Sequence, residues 1–225
     1  MKKSAPHQPP ALVGNIKVTK ADWIQLALKC LVHDGIDNVK VLPLSEKLGV
    51  SRSSFYWYFE SRQDLLDELL AHWQATNTQA IIERAKRPSK TITQAVLSVF
   101  ECWADEELFS PSLDFAVREW SRKSAAARSA INAADKNRTK SIMQMYIRHG
   151  YEEEDALIRA RILYFMQIGF YVVELNEPLE ARIGHVPSYL KAFTGVEPNP
   201  SEIEAFASFV RKPAIKPKPA NDHRP

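Results

Sequence analysis

Apolar residues recur at three- and four-residue intervals along most of the chain, a spacing that predicts helices rather than strands. Trp23, Ile24, Ala27, Leu28 and Leu31 form the first stripe. Thr19 precedes it as an N-cap, with Asp22 three residues on in a capping-box-like arrangement. Asp34-Gly35 ends the helix, Gly35 being suited to the left-handed position past a C-terminus. A second helix fits 43–48, with Pro43 near its first position and Gly49 breaking it. Ser51 caps a third over about 52–59. Ser61, followed by Asp64, caps a fourth whose apolar face is Leu65, Leu66, Leu69, Leu70 and Trp73. That pattern runs on through Ile81 and Ile82 and stops before Pro88.

Further helices are expected over about 91–103, 111–122 and 125–149, the last ended by Gly150. Glu152, Glu153, Glu154 and Asp155 then place negative charge at the start of the next helix, which suits its dipole. This helix, to about 175, is the most apolar in the chain. Pro178 and Pro187 are each expected to begin a shorter helix, with Gly195 ending the second. Ser201 with Glu204 is expected to cap a last helix to Val210. The fold class is therefore all-α, in keeping with only 7 glycines in 225 residues. Residues 1–18 are Pro-rich and read as a flexible arm, and 211–225 as a basic Pro-rich tail. Between them, 19–64 and 65–210 read as two helical domains, a smaller N-terminal one and a larger one.

Composition narrows the function classes. A hydrophobic content of 45% supplies a sizeable core. No run approaches the roughly 18 uncharged apolar residues of a membrane span, and the N-terminal stretch lacks the apolar segment of a secretory signal. No membrane partner is expected. Cys30 and Cys102 are the only cysteines, which points to a reduced, cytoplasmic protein without a disulfide framework. The net charge of +3 is misleading as a guide to nucleic acid. Arg211, Lys212, Lys216, Lys218 and Arg224 against Asp222 give the tail +4, leaving −1 for the rest of the chain. Any case for DNA must come from local arrangement.

That arrangement lies between Leu44 and Leu66. Short helices around a glycine turn form a helix-turn-helix, which projects its second helix into the major groove. Phe55 and Phe59, four apart, pack inward on the first helix, leaving Arg52, Ser53, Tyr56 and Trp57 largely outward. Arg52 suits a guanine edge or a phosphate, and Ser53 and Ser54 permit close approach. The Tyr56 and Tyr58 hydroxyls suit phosphate oxygens, and Trp57 a thymine methyl or a sugar. Ser61 and Arg62 open the next helix, whose N-terminus suits a phosphate. Four aromatic positions in a row cannot all face a core, and the exposed ones call for a partner.

These residues resemble the tetracycline-repressor (TetR) family of bacterial regulators. That family's signature is a Leu-Ala-like pair, Gly-Val-Ser, Tyr-x-x-Phe, a basic residue and a Leu pair. Here these are Leu44-Ser45, Gly49-Val50-Ser51, Tyr56 and Phe59, Arg62, and Leu65-Leu66. The resemblance runs from near Thr19 to about Trp73. Ser45 stands where Ala is usual, Arg62 replaces a common Lys, and Tyr58 stands where His is frequent. The resemblance implies an all-α homodimer whose first three helices bind a roughly palindromic double-stranded DNA operator. The remainder would hold a small-molecule effector and the dimer interface, with repression released by the effector. A looser likeness to a subgroup runs through Arg118-Glu119-Trp120, Asp135 with Arg138, Arg159-Ala160-Arg161 and Ile168-Gly169.

A pocket between helices is expected among residues 65–170. Trp103, Phe115, Trp120, Met143, Tyr146 and Phe165 are candidate lining residues, with Arg118, Arg161 and Gln167 as polar contacts. The helix at 156–175 and the segment 179–193 are expected to supply the dimer interface. His7, His33, His72, His149, His185 and His223 are scattered without metal-ligand spacing, so no metal is expected. No phosphate-binding glycine loop or nucleophile motif is present, so neither a cofactor nor an enzymatic activity is expected. The competing reading is a helical protein-interaction scaffold without DNA binding, which predicts no salt-sensitive DNA affinity.

Overall fold

The computed structural model describes residues 18–173, 175 and 177–212. Most of the expected N-terminal arm and basic tail lies outside the described residues. Ten α-helices carry the described chain, with no strand among them. They are α1 (Lys20–Asp34), α2 (Val41–Leu48), α3 (Arg62–Trp73), α4 (Gln79–Lys86) and α5 (Ile92–Ala104). There follow α6 (Pro111–Trp120), α7 (Ala125–Arg148), α8 (Glu153–Val173), α9 (Leu179–Thr194) and α10 (Pro200–Val210).

The caps explain most of the boundaries. Thr19 and Asp22 form a reciprocal capping box at α1, the Thr19 backbone N–H donating to Asp22 Oδ2 at 2.7 Å. Ser61, Thr91, Ser110 and Ser124 each accept from a backbone N–H in the first turn of α3, α5, α6 and α7. Gly35 has φ 78° and ψ 170°, so it is not in the expected left-handed helical well but in a region that only glycine enters freely. Gly49, by contrast, is left-handed at φ 67° and ψ 29°.

Four expectations require correction. The segment Arg52–Trp57 is a 3-10 turn rather than an α-helix, and the Ser51 side chain does not cap it. Pairing of Phe55 with both Trp23 and Phe59 holds this tighter winding in place. The long fourth helix is interrupted at Gln74–Thr78 by a π-helical turn joining α3 to α4. Pro187 lies inside α9 instead of starting a helix, because Ile183, Val186, Leu190 and Phe193 bury one continuous face across it. The last helix begins at Pro200, capped by Asn199 with Glu202 rather than by Ser201 with Glu204.

Two cores result. One gathers Trp23, Phe55, Leu65, Leu69 and Trp73 of the N-terminal unit with Leu113, Val117 and Trp120 of α6 and Ile131 of α7. The other lies among α4, α5, α7, α8, α9 and α10, around Val96, Val99, Ile142, Met145 and Leu163. The first core fastens the helix-turn-helix to the body through α6. Each fully buried Leu or Val there contributes about 1.5–3 kcal/mol. Among the described helices, α8 is long and apolar enough by length and composition to cross a membrane. It packs along α7 and α9, and its apolar surplus lies on the opposite face, at Ile158, Ile162, Phe165 and Val172.

Candidate nucleic-acid interface and ligand cavity

The 3-10 turn after Gly49 separates its side chains cleanly. Phe55 is fully buried, its ring meeting Trp23 edge-on at 5.2 Å and stacking on Phe59 at 4.9 Å. On the other side Trp57 is 79% exposed and Tyr56 49%. Arg52 and Ser53 are exposed beside them, the Arg52 guanidinium 3.4 Å from the Tyr56 hydroxyl. Ser54 is half-buried and its hydroxyl donates to the Ser51 carbonyl at 2.8 Å. Below, Ser45 is buried on α2, and its hydroxyl donates to the Leu42 carbonyl at 2.8 Å.

Besides Ser54, three more candidate contacts are engaged elsewhere in the chain, and the Ser53 hydroxyl, although exposed, lies 2.8 Å from that of Ser51. The Tyr58 hydroxyl donates to the Val18 carbonyl at 2.7 Å, which ties down the chain entering α1. Arg62 donates through Nε to the Val39 carbonyl at 2.6 Å and through Nη2 to the Ile36 carbonyl at 3.0 Å. It therefore latches the α1–α2 connection, leaving only part of its guanidinium to solvent. Ser61 Oγ accepts the cap bond from the Asp64 N–H. The outward set is thus narrower than the spacing suggests: Arg52, Ser53, Tyr56 and Trp57.

In the body, α6, α7 and α8 surround a cavity of about 400 Å³. It brings together Trp103, Phe115, Arg118 and Gln167 from the expected set. The other five do not reach it. Trp120 is buried on the far face of α6, in the core shared with α1. Tyr146 is fully buried and its hydroxyl donates to the Phe193 carbonyl, while Met143 packs half-buried against the second core. Phe165 follows Tyr164 by a third of a turn and so faces solvent, and Arg161 is exposed. Phe109, Tyr164 and Tyr171 take the places in the cavity wall that those residues were expected to fill. A cleft of about 540 Å³ adjoins it between α6 and the end of α1, sharing Phe115 and Glu119.

Beneath the cavity lies a buried ion network. Asp114 accepts from Trp73 Nε1 at 2.9 Å, from Arg118 Nε at 3.0 Å and from Arg138 at 2.9 Å. Arg118 also forks onto Asp135 at 2.7 and 3.1 Å. Tyr164 accepts from both arginines and donates to Asp135 at 2.6 Å. Arg138, wholly inaccessible, donates further to Thr78 Oγ1 and lies over the Trp73 ring at 5.0 Å. Burial pushes the Asp114 carboxyl up, but Arg138 and Arg118 outweigh it and hold it below the usual carboxylate range. Burial likewise raises the Tyr164 phenol, and lifts the Cys102 thiol to about 12, leaving that thiol inert. Asp114 with Arg118 and Asp135 with Arg138 are visible in sequence as helical pairs. Nothing local signals that Trp73, Thr78 and Tyr164 complete them.

An α-helical body joined through one shared core to an exposed 3-10 recognition turn defines a helix-turn-helix protein with a helical cavity domain. Residues 24–69 match the model of the bacterial regulatory proteins of the tetR family. The tetracycline repressor protein class A from transposon 1721 of Escherichia coli is 36% identical over 62 residues. That match covers 28% of this chain and only 29% of the repressor. Over the whole fold, the chain superposes on Salmonella enterica GusR with a TM-score of 0.54 at 9% identity, covering 84% of this chain and 92% of that one. A protein from Mesorhizobium loti MAFF303099, described as a TetR-family transcriptional regulator, gives 0.52 at 16% identity, covering 84% and 94%. At these identities the likeness concerns the fold.

Proposed function

We propose that the protein is a ligand-responsive DNA-binding transcriptional regulator of the bacterial cytoplasm, without catalytic activity. It acts as a homodimer on a roughly palindromic operator, and a small molecule releases it from repression. The observation that carries this reading is the division of the recognition turn. Phe55 and Phe59 are spent on the core, whereas Arg52, Tyr56 and Trp57 stand free on one exposed surface. The apolar face of α8, with Ile158, Ile162 and Phe165 each about half exposed, supports a two-fold dimer that presents two such turns to successive half-sites. The cavity supports effector binding, since α6 lines it on one side and packs on α1 with the other. A coupling of about 1–3 kcal/mol between the two sites would alter operator affinity roughly 5- to 150-fold.

A mobility-shift assay with purified protein on DNA upstream of its own gene tests the reading. A salt-sensitive shift is expected, and Arg52→Ala should weaken it by about 1–3 kcal/mol while leaving the melting temperature unchanged. Unaltered affinity in Arg52→Ala and Trp57→Ala together would falsify the recognition surface. Phe165→Glu should convert the dimer to a monomer in sedimentation, and a dimer that persists would remove α8 from the interface.

A further inference from the structure

We propose that residues 1–17 are a second DNA-contacting element, whose lysines bind phosphates beside the half-site that the recognition turn enters. The inference rests on the DNA-binding reading of that turn and supplies the source of its phosphate affinity.

Charge sets the requirement. With histidine neutral, residues 19–64 hold six lysines and arginines against six aspartates and glutamates, so the helix-turn-helix unit has no net charge. Several of its cations are engaged within the chain. Lys20 pairs with Glu68, Lys47 with Asp34, and Arg62 donates to two carbonyls. Arg52 is the one cation in the outward set of the turn. Affinity for duplex DNA comes in large part from lysines and arginines that displace condensed counterions. A neutral unit with one outward cation supplies little of it. The 17 residues before that unit hold Lys2, Lys3 and Lys17 and no acidic residue.

The base of that segment is fixed on the recognition turn. Tyr58 directly follows the exposed Trp57, and its hydroxyl reaches back 40 residues to the Val18 carbonyl at 2.7 Å. Val18 packs against the first core, and Thr19 is held by its capping box. Two successive residues are thus pinned beside the surface that carries Arg52 and Tyr56. Seventeen residues span at most about 60 Å, which lets the lysines reach phosphates next to the half-site. A tether of this kind also raises their effective concentration there. Lysine is a compact charge without a planar fork, so it suits phosphate oxygens and carries no base readout. The basic C-terminal tail starts elsewhere. Arg211 pairs with Glu180, and the preceding α10 packs on α5 and α9 in the second core.

Mobility shifts of the full chain test this on DNA upstream of its own gene and on a shuffled duplex of equal length, over about 50–200 mM salt. Lys2→Ala, Lys3→Ala and Lys17→Ala combined should weaken binding roughly tenfold or more at the lowest salt. The slope of log affinity against log salt should fall by about 2.7 per protomer, at unchanged melting temperature. Both duplexes should lose alike. Tyr58→Phe keeps the ring and removes the tie; it should weaken binding roughly three- to tenfold in the parent and not at all in the triple variant. Neutralising the tail instead, by Lys216→Ala, Lys218→Ala and Arg224→Ala, should change neither affinity nor slope. A parent shift that the N-terminal triple variant leaves intact overturns the arm and keeps the turn. A loss confined to the upstream DNA overturns the phosphate role. A Tyr58→Phe loss that recurs in full in the triple variant makes Tyr58 itself the DNA contact and overturns the tether. Equal losses from arm and tail overturn the placement, because charge anywhere would then serve. Absence of any salt-sensitive shift in the parent overturns the DNA-binding reading and the arm with it.

Discussion

The recognition turn and the cavity floor use polar side chains in opposite ways. Around Arg52, Tyr56 and Trp57 the hydrogen-bonding groups face water with little to hold them, and their partner must come from outside. Around Asp114 and Arg138 every group has an internal partner, and these two at the centre of the network are buried. The first arrangement costs the fold little and leaves its donors available to an outside partner. The second fixes Trp73, just before the π-helical turn between α3 and α4, and Thr78, the last residue of that turn, to the wall of the cavity. A binding surface and a positioning network thus differ in where their hydrogen bonds end.

The sharpest way to break this contrast is to remove the centre of the network. Asp114→Asn leaves Arg138 buried without its countercharge, and the expected loss is about 3–5 kcal/mol of stability at neutral pH. Urea unfolding monitored by tryptophan fluorescence measures it, and Arg52→Ala in the same assay should stay within about 0.5 kcal/mol of the parent. Comparable losses in both would mean that the turn is as structural as the network.

The network also carries a pH signature. The folded-state Asp114 carboxyl titrates below its ordinary value, so its stabilisation is present above the unfolded value near 3.8 and is lost as pH falls beneath it. The parent should therefore lose stability on acidification below about pH 4 more steeply than Asp114→Asn does. Parallel acid profiles for the two proteins would remove Asp114 from the acid response.

What was legible in the sequence follows the same division. The recognition turn is built from consecutive residues, so a four-residue spacing sufficed to put Phe55 and Phe59 inside and Trp57 outside. The cavity draws on α5, α6, α7 and α8, and helical phase alone cannot say which apolar face meets a void. Hence Tyr146 and Trp120 read as lining residues but are core, whereas Phe109, in the connection between α5 and α6, carried no periodicity at all. Pro187 misled because a local helix-breaking preference was outweighed by the burial of Ile183, Val186 and Leu190 on either side of it.

Arg62 sits between the two classes and sharpens the distinction at smaller cost. Its bonds to the Val39 and Ile36 carbonyls are charge-assisted, so Arg62→Ala should destabilise the protein by about 1.5–3 kcal/mol. Arg62→Lys keeps the charge but cannot span both carbonyls with a fixed fork, and should recover DNA affinity more fully than stability. Thermal unfolding beside a mobility shift separates the two roles. A lysine variant as stable as the parent would assign Arg62 to phosphate contact alone.

The smallest effect isolates backbone geometry from contact. Gly49 turns the chain from α2 into the recognition segment at φ 67°, and nothing lies within 4 Å of where a Cβ would stand. Gly49→Ala therefore loses no space and carries only the left-handed backbone penalty, about 1 kcal/mol. Asparagine tolerates this conformation better than alanine, so Gly49→Asn should fall between the parent and Gly49→Ala in melting temperature. If the turn responds to this strain by shifting Arg52 and Tyr56, operator affinity will follow the same order as stability. Should affinity stay constant while stability falls, the packing of Phe55 on Trp23 is what orients the recognition surface, and the glycine merely permits the turn.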